Sequence, residues 1–363
     1  MPGRYILVAA SVTLAVCFHG AAAAQAPRIT NTRLAPQPAG DLPRTFESLV
    51  AATPDARWVG YRVPAVDGDR GMCCADSGHG VYVSGAACCG TCRLESGPAR
   101  GVQRNSPPAA GPIPLEGSDR MVVLVRLADR QVHRIGIYSD GCELDAGGLP
   151  VVWLEDVQPA DSVALLESLA SAGGGNRVVD GAVAAIALHR GEAADASLGR
   201  LSMPDRPESV RKKVTFWLGQ ARGATGLSAL QRILREDPSV AVRRAAVFGV
   251  SQSGAPGALE ALIATARGHD EPRVRAQAVF WLGQKAGARA AEAITERIEQ
   301  DPDTDVKKRA VFALSQMPKD EGVPLLIEVA RTNRNPAVRK QAMFWLAQSG
   351  DPRAIDFFAS ILK

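Results

Sequence analysis

The chain has 363 residues, of which 46% are hydrophobic and 22% are charged, and its formal net charge is +4. This length predicts two domains or one elongated domain, and beyond the N-terminus no apolar stretch approaches the roughly 18 residues of a membrane-spanning helix. The charge is uneven, because residues 210–363 carry 24 basic and 16 acidic residues whereas residues 1–209 carry 18 and 22. The basic excess of the C-terminal half indicates an acidic partner.

Residues 1–26 have the pattern of a secretory signal peptide. Arg4 precedes an apolar run at residues 5–18, and small residues continue to Ala26. The run is too short to span a bilayer. We therefore expect a periplasmic or secreted protein that is not inserted in the membrane after cleavage, with residues 27–40 as a linker. A lipoprotein is the alternative at Cys17, but Val16 fits a lipid-attachment site poorly.

Residues 41–158 predict a small antiparallel β domain. Candidate strands are residues 57–63, 80–83, 121–127, 131–138 and 151–154, and the segment 121–138 is typical of a hairpin. A domain this thin needs covalent support to be stable.

The cysteines offer that support. Six remain once the signal peptide is removed, and all precede the C-terminal repeats: Cys73, Cys74, Cys88, Cys89, Cys92 and Cys142. An even number in an exported chain predicts a disulfide framework. Two alternatives stay open. Cys89 and Cys92 have the spacing of a thiol–disulfide active site, and the cluster could hold zinc. The absence of a βαβ pattern argues against the first, and an oxidising compartment argues against the second, so no metal is expected.

A 32-residue repeat fills the rest of the chain. The segment 210–220 recurs at 242–252, 274–284, 306–316 and 338–348. Between these segments, apolar residues at offsets of 3 and 7 lie on one face of a second helix. Each repeat therefore predicts two helices, A and B. Weaker copies extend the pattern back to residue 159, which predicts about six helix pairs and a final A helix at 352–362.

The B-helix pattern Val-Arg-x-x-Ala-x-x-x-Leu-Gly resembles the HEAT repeat, in the short bacterial type also seen in phycobilin-lyase-like proteins. The resemblance covers about residues 160–363 and implies an all-α, right-handed solenoid, so the whole chain is expected to be a two-domain α+β protein. In HEAT repeats a basic residue after the valine commonly pairs with an acid of the preceding turn. Those residues are Arg211, Arg243, Arg275, Lys307 and Arg339, and the candidate acids are Asp237, Asp270, Asp301 and Asp305.

Two further rows mark the B helices. With the valine as position 0, positions 0, 4, 7 and 8 form the expected core stripe, which includes the tryptophans 217, 281 and 345. Position 6 is always phenylalanine and position 10 always glutamine: Phe216, Phe248, Phe280, Phe312 and Phe344, then Gln220, Gln252, Gln284, Gln316 and Gln348. These rows either pack between repeats or line a concave face whose carboxamides pair with the backbone of an extended peptide.

No catalytic site can be assembled from the sequence. The mature histidines show no metal-ligand spacing, and no phosphate-binding glycine motif occurs. We therefore predict a protein without enzymatic activity or cofactor that binds a protein or peptide and not nucleic acid. The alternative, which rests on the resemblance alone, is an enzyme or chromophore lyase of the phycobilin type.

Overall fold

The computed structural model describes residues 28–66, 74–76, 92–95, 119–140, 143–173, 175–285 and 287–362, with side chains undescribed at 74–76, 92 and 139. The predicted signal peptide (residues 1–26) and strand 80–83 lie outside the described residues. So do Cys73, Cys88, Cys89 and Cys142, as well as the side chains of Cys74 and Cys92. The predicted disulfide framework therefore stays a prediction.

The N-terminal part contains two sheets and one helix. The strands are β1 (Ile29–Thr30), β2 (Leu34–Pro38), β3 (Arg57–Pro64), β4 (Cys74–Asp76), β5 (Cys92–Arg93), β6 (Arg120–Ala128), β7 (Gln131–Ser139), β8 (Leu144–Asp145) and β9 (Val151–Glu155), and the helix is α1 (Leu42–Ala51). The larger sheet has the order β2-β9-β3-β6-β7-β4, and the smaller has the order β1-β8-β5. Strands thus form at four of the five predicted positions, and the fifth lies outside the described residues.

The larger sheet is mixed, whereas we expected an antiparallel domain. Helix α1 connects β2 to β3 as a crossover, so both strands run in the same direction. Strand β9 lies between them and is parallel to both. Residues 29–38, expected to be part of a linker, instead form β1 and β2. Pro36 and Pro38 obscured β2 in the sequence, but proline is tolerated there because β2 is an edge strand.

The hairpin of β6 and β7 forms as predicted. Its turn residues Asp129 and Arg130 have φ values of 52° and 54°. Two consecutive left-handed residues match the twist of the flanking strands, which is the usual geometry of a tight hairpin.

Thirteen helices follow the sheets in the described residues. The A helices are α2 (Pro159–Ser171), α4 (Glu192–Leu201), α6 (Gly223–Glu236), α8 (Ala258–Gly268), α10 (Ala288–Gln300), α12 (Lys319–Thr332) and α14 (Pro352–Ile361). The B helices are α3 (Asn176–Leu188), α5 (Glu208–Ala221), α7 (Val240–Gln252), α9 (Pro272–Gly283), α11 (Thr304–Gln316) and α13 (Pro336–Ser349). The six pairs and the final A helix agree with the prediction. None of the described helices is long and apolar enough to cross a membrane.

The sheet and the solenoid share one hydrophobic core. Side chains of β3, β6 and β7 and side chains of α2 and α3 belong to the same buried cluster. The backbone also joins them, because Val66 N donates to Leu188 O at 2.8 Å and Arg190 N donates to Pro64 O at 3.1 Å. A Cβ added to Gly181 of α3 would lie 2.3 Å from Ile135 O of β7. The first repeat is therefore packed directly on the sheet.

Candidate functional site

Successive B helices pack closely against one another because small residues face each other. A Cβ on Gly219 of α5 would lie 2.1 Å from Gly249 O of α7, and one on Gly283 of α9 would lie 2.6 Å from Ala313 O of α11. The A helices contact each other less extensively. The B helices thus form the tightly packed side of the solenoid, which we call the B-helix face.

The position-6 phenylalanines form part of a continuous series of rings along the B-helix face. Phe216 stacks on Phe248 with 6.0 Å between centroids, and Phe280 stacks on Phe312 at 6.1 Å. Four of the five are half-buried, and Phe344 is 52% exposed. The rings thus pack between repeats and are partly exposed to solvent, and their role as a binding surface stays a prediction.

Only one of the three tryptophans is a core residue. Trp217 is buried, but Trp281 and Trp345 are partly exposed and extend the ring series. Trp281 lies 4.9 Å from Phe248, and Trp345 lies 4.9 Å from Phe312. Position 5 belongs to the core in addition to the expected stripe, because each B helix is covered by two neighbouring B helices as well as by an A helix. Its residues in α5, α7, α9 and α11 are buried: Thr215, Val247, Val279 and Val311.

The glutamine row lies beside the rings. Gln220, Gln284, Gln316 and Gln348 are exposed and Gln252 is half-buried. Gln252 and Gln316 donate to the hydroxyls of Ser251 and Ser315, each at 3.2 Å. Exposed carboxamides offer a donor and an acceptor to a ligand.

The B-helix face is also basic. Positions 1 to 10 of the five matching B helices contain eleven basic residues and no acidic residue. Lys212, Arg244, Arg309 and Lys340 are exposed. The guanidinium of Arg309 lies over the ring of Phe312, 5.9 Å from its centroid. The face therefore combines aromatic, amide and cationic groups.

The basic residues of position 1 are partly structural. Arg211 pairs with Asp237 at 3.1 Å, and Arg275 pairs with Asp301 at 2.8 Å. The acid comes from the turn of the following repeat and not from the preceding turn, which corrects the expectation. The corresponding partner position is His269 for Arg243 and Asn333 for Lys307. Neither residue is an acid, so the same ion pair cannot form in these two repeats. Lys307 instead donates to Glu299 O at 2.7 Å.

Sequence reasoning missed a buried polar network where the sheet meets the solenoid. Ser162 Oγ lies 2.9 Å from both the Tyr61 hydroxyl and His189 Nε2, and His189 Nδ1 lies 2.6 Å from Ala185 O. Burial, assisted by the charge of Arg222, lowers the pKa of His189 to about 4 against the effect of the Ala185 hydrogen bond. Burial also raises the pKa of Tyr61. All three side chains are fully buried, so a substrate cannot reach them.

Metal-ligating residues are dispersed in the part of the chain that the structure describes. There, no group of three or more His, Cys, Asp or Glu residues is arranged to hold a metal ion.

The match to a family model concerns the solenoid. The family model for HEAT repeats matches residues 196–283, 259–333 and 291–363. No curated protein matches the chain. Among solved structures, the chain is similar to human deoxyhypusine hydroxylase, with 17% identity, a TM-score of 0.25 and coverage of 56% of this chain and 90% of that one.

Two bacterial structures are similar to a comparable extent. YibA of E. coli shares 17% identity at a TM-score of 0.33, over 56% of this chain and 75% of that one. The CpcE–CpcF complex of phycocyanin lyase from Nostoc shares 18% identity at a TM-score of 0.26, over 51% of this chain and 97% of that one. These similarities carry no information about ligands. The matches to the family model and the repeated helix pairs together show that residues 196–363 of this chain form HEAT repeats.

Proposed function

We propose that this chain is an exported scaffold without enzymatic activity, and that its B-helix face holds an extended, acidic segment of a partner protein. The observation that carries the proposal is the composition of that face. Half-exposed rings and exposed carboxamides lie with the exposed cations of Lys212, Arg244, Arg309 and Lys340, and positions 1 to 10 contain no acidic residue. Rings supply contact area, carboxamides can pair with a peptide backbone, and the cations favour an acidic sequence.

The same composition supports binding over catalysis. Positions 1 to 10 of the five helices contain no Cys, His, Asp or Glu. General acid–base catalysis draws on these residue types most often, and so does much nucleophilic catalysis. A chromophore lyase acting on this face would lack them. Export is proposed from the signal-peptide pattern of residues 1–26, which predicts that the protein resides in the periplasm or is secreted.

Peptide display tests the binding role. A library of random linear peptides is panned against the immobilised full chain, and selected peptides are measured by fluorescence anisotropy. We expect selected peptides to be acidic. The double variant Gln284→Ala, Gln316→Ala should weaken their binding about tenfold or more, with an unchanged melting temperature because both side chains are exposed.

The matched control is Gln300→Ala, which removes an exposed carboxamide from the A helix α10 and should leave binding unchanged. Failure to select any peptide above background would contradict the proposal. Equal effects of the control and the double variant would also contradict it.

A further inference from the structure

Two arrangements of the same residue types recur 64 residues apart on the B-helix face. Site I consists of Phe248, Ser251, Gln252, Trp281 and Gln284, and site II consists of Phe312, Ser315, Gln316, Trp345 and Gln348. We propose that each site receives one carboxylate side chain of the same extended acidic peptide. The inference rests on the proposed binding role of the B-helix face and specifies the chemistry and spacing of the partner.

The two sites have similar internal geometry, with 32° between the two ring planes in site I and 48° in site II. In each, the tryptophan ring lies 4.9 Å from the phenylalanine ring of the preceding B helix. In each, the serine hydroxyl donates to the carbonyl of that phenylalanine at 2.7 Å, and the following glutamine donates to the serine at 3.2 Å. The glutamine carboxamide is thereby oriented in the same way twice.

Each site also contains a hydrogen-bond donor without a partner. The indole nitrogens of Trp281 and Trp345 are buried and donate to no acceptor among the described residues. An indole N–H can only donate, so it requires an acceptor such as a carboxylate oxygen. Trp58 has an unpaired N–H as well, but its side chain is wholly buried in the N-terminal part and cannot be reached by a ligand. The side chains of Trp281 and Trp345 are partly exposed.

Site II opens into a cavity of about 190 Å³. Its lining includes Trp345, Gln316, Gln348 and Lys319, together with the apolar residues Val323 and Leu326. This volume is small for a drug-sized ligand and suits a single side chain. A glutamate could pack its methylene groups on the apolar lining while its carboxylate meets a carboxamide and Lys319, and a small rotation of the partly exposed Trp345 ring would bring the buried N–H to the same carboxylate.

Charge near both sites favours a carboxylate over a neutral acceptor. Arg309 lies over the Phe312 ring of site II, and Lys285 directly follows Gln284 of site I. Arg244 of α7 donates to Gln277 of α9 at 3.2 Å and is exposed. Opposite charges raise the rate and the specificity of association at such a surface.

The spacing of the sites predicts the spacing of the ligand carboxylates. Packed helix axes lie about 8–10 Å apart, so two repeats separate the sites by about 16–20 Å. An extended peptide rises about 3.3 Å per residue, which corresponds to about five or six residues. Because alternate side chains of an extended chain point to the same side, the even spacing of about six is expected.

Trp217 provides an internal control. It occupies position 7 of α5, but the preceding B helix α3 has Ala184 where the sites have phenylalanine, and Ala187 and Leu188 where they have serine and glutamine. No third site is therefore built at α5, although the tryptophan is present.

Synthetic peptides test the proposal on the full chain. The probes are fluorescein-labelled Ser/Thr peptides with two glutamates placed two, four, six or eight residues apart, and binding is followed by anisotropy. We expect the tightest binding at a spacing of about six. Trp281→Phe and Trp345→Phe, which keep a ring but remove the N–H, should each weaken that binding about tenfold, whereas Trp217→Phe should not.

A second measurement uses the unaltered chain, so it does not depend on whether the variants fold. The chain has five tryptophans, so nitrogen-15 labelling gives at most five indole N–H signals. Saturation with the six-spaced peptide should shift the signals of Trp281 and Trp345 and leave those of Trp58 and Trp153 in place.

The outcomes separate the two proposals. If display-selected peptides bind through the glutamine row but glutamate spacing has no effect and the two indole signals do not shift, the carboxylate sites are wrong and the scaffold remains. If neither selected nor designed peptides bind, both proposals are wrong.

Discussion

The carboxylate of Asp301 accepts two hydrogen bonds from the guanidinium of Arg275, from Nε at 2.8 Å and from a terminal nitrogen at 2.9 Å, inside the solenoid. Both side chains are buried, and the Asp301 side chain is 0% exposed. The hydrogen bonds to Asp301 raise the pKa of Arg275. The pair links the B helix α9 to the turn that precedes α11, and therefore holds successive repeats together.

Removal of Asp301 should destabilise the protein strongly. Asp301→Ala leaves the Arg275 cation buried without its counter-ion, which costs about 3–5 kcal/mol in the free energy of unfolding. Lys307→Ala is the matched control, because Lys307 has the same repeat position but makes only an exposed bond to a carbonyl, and its removal should cost less than about 1 kcal/mol. Urea unfolding of both variants measures the difference. Similar losses would show that the buried pair does not stabilise the junction between repeats.

The contact between sheet and solenoid can be tested at one glycine. Gly181→Ala introduces a Cβ only 2.3 Å from Ile135 O, so α3 must move away from β7. We expect a loss of about 1–3 kcal/mol. Gly199→Ala in α4 has no atom within 4 Å of the new Cβ and should leave stability unchanged or raise it by up to about 1 kcal/mol. If both variants melt like the unaltered chain, the packing of α3 on the sheet is incorrect.

His189 should make the protein sensitive to mild acid. Its pKa is about 4 in the folded chain, well below the ordinary histidine value of 6.5, so below pH 6.5 the unfolded chain binds a proton that the folded chain does not. The stability conferred by the neutral imidazole is complete above pH 6.5 and is lost as the pH falls toward 4. The loss amounts to about 3 kcal/mol at 1.36 kcal/mol per pKa unit.

Unfolding in urea at several pH values between 7.5 and 4.5 measures this loss. His189→Gln should lose less stability over that range than the unaltered chain, because its amide does not titrate. His133→Gln, at a partly exposed histidine of β7, is the control and should follow the unaltered chain. Parallel curves for His189→Gln and the unaltered chain would refute the assignment.

The cysteines of the exported protein should be oxidised. We expect Cys73, Cys74, Cys88, Cys89, Cys92 and Cys142 to form three intramolecular disulfides, because their number is even and the chain carries an export signal. Mass spectrometry after thiol alkylation without reduction should detect no modified cysteine in protein purified from the periplasm or medium. Alkylation of any of the six, or bound zinc, would disprove the prediction.

The sequence predicted the solenoid well because a repeat presents the same pattern five times. The apolar residues at fixed offsets within each repeat identified every helix from α5 onward, and the weaker copies of the repeat located α2 to α4. The 64-residue alternation was also visible, since Trp217, Trp281 and Trp345 occur in alternate repeats. A 32-residue repeat alone explains the core rows, so the partial exposure of Trp281 and Trp345 was not predicted.

The N-terminal part was less predictable because its contacts are distant in sequence. Strands β2 and β9 pair across more than a hundred residues, as Leu34 with Val151, and no local pattern encodes that pairing. Tyr61 and Ser162 are likewise separated by 101 residues. A hairpin such as β6–β7 is encoded by its own turn, whereas a parallel pair depends on the whole fold.

The alternation of large and small residues along the B helices restricts how the solenoid can be shortened. Deletion of one repeat, residues 240–271, would bring Trp281 to the place of Gly249, where even a Cβ would lie 2.3 Å from Thr215 O. Deletion of two repeats, residues 240–303, would bring Ala313 there instead, and its single methyl group requires a much smaller shift of the neighbouring helix than an indole ring does. Loss of 64 residues should therefore destabilise this protein less than loss of 32, which makes the pair of repeats the unit of construction.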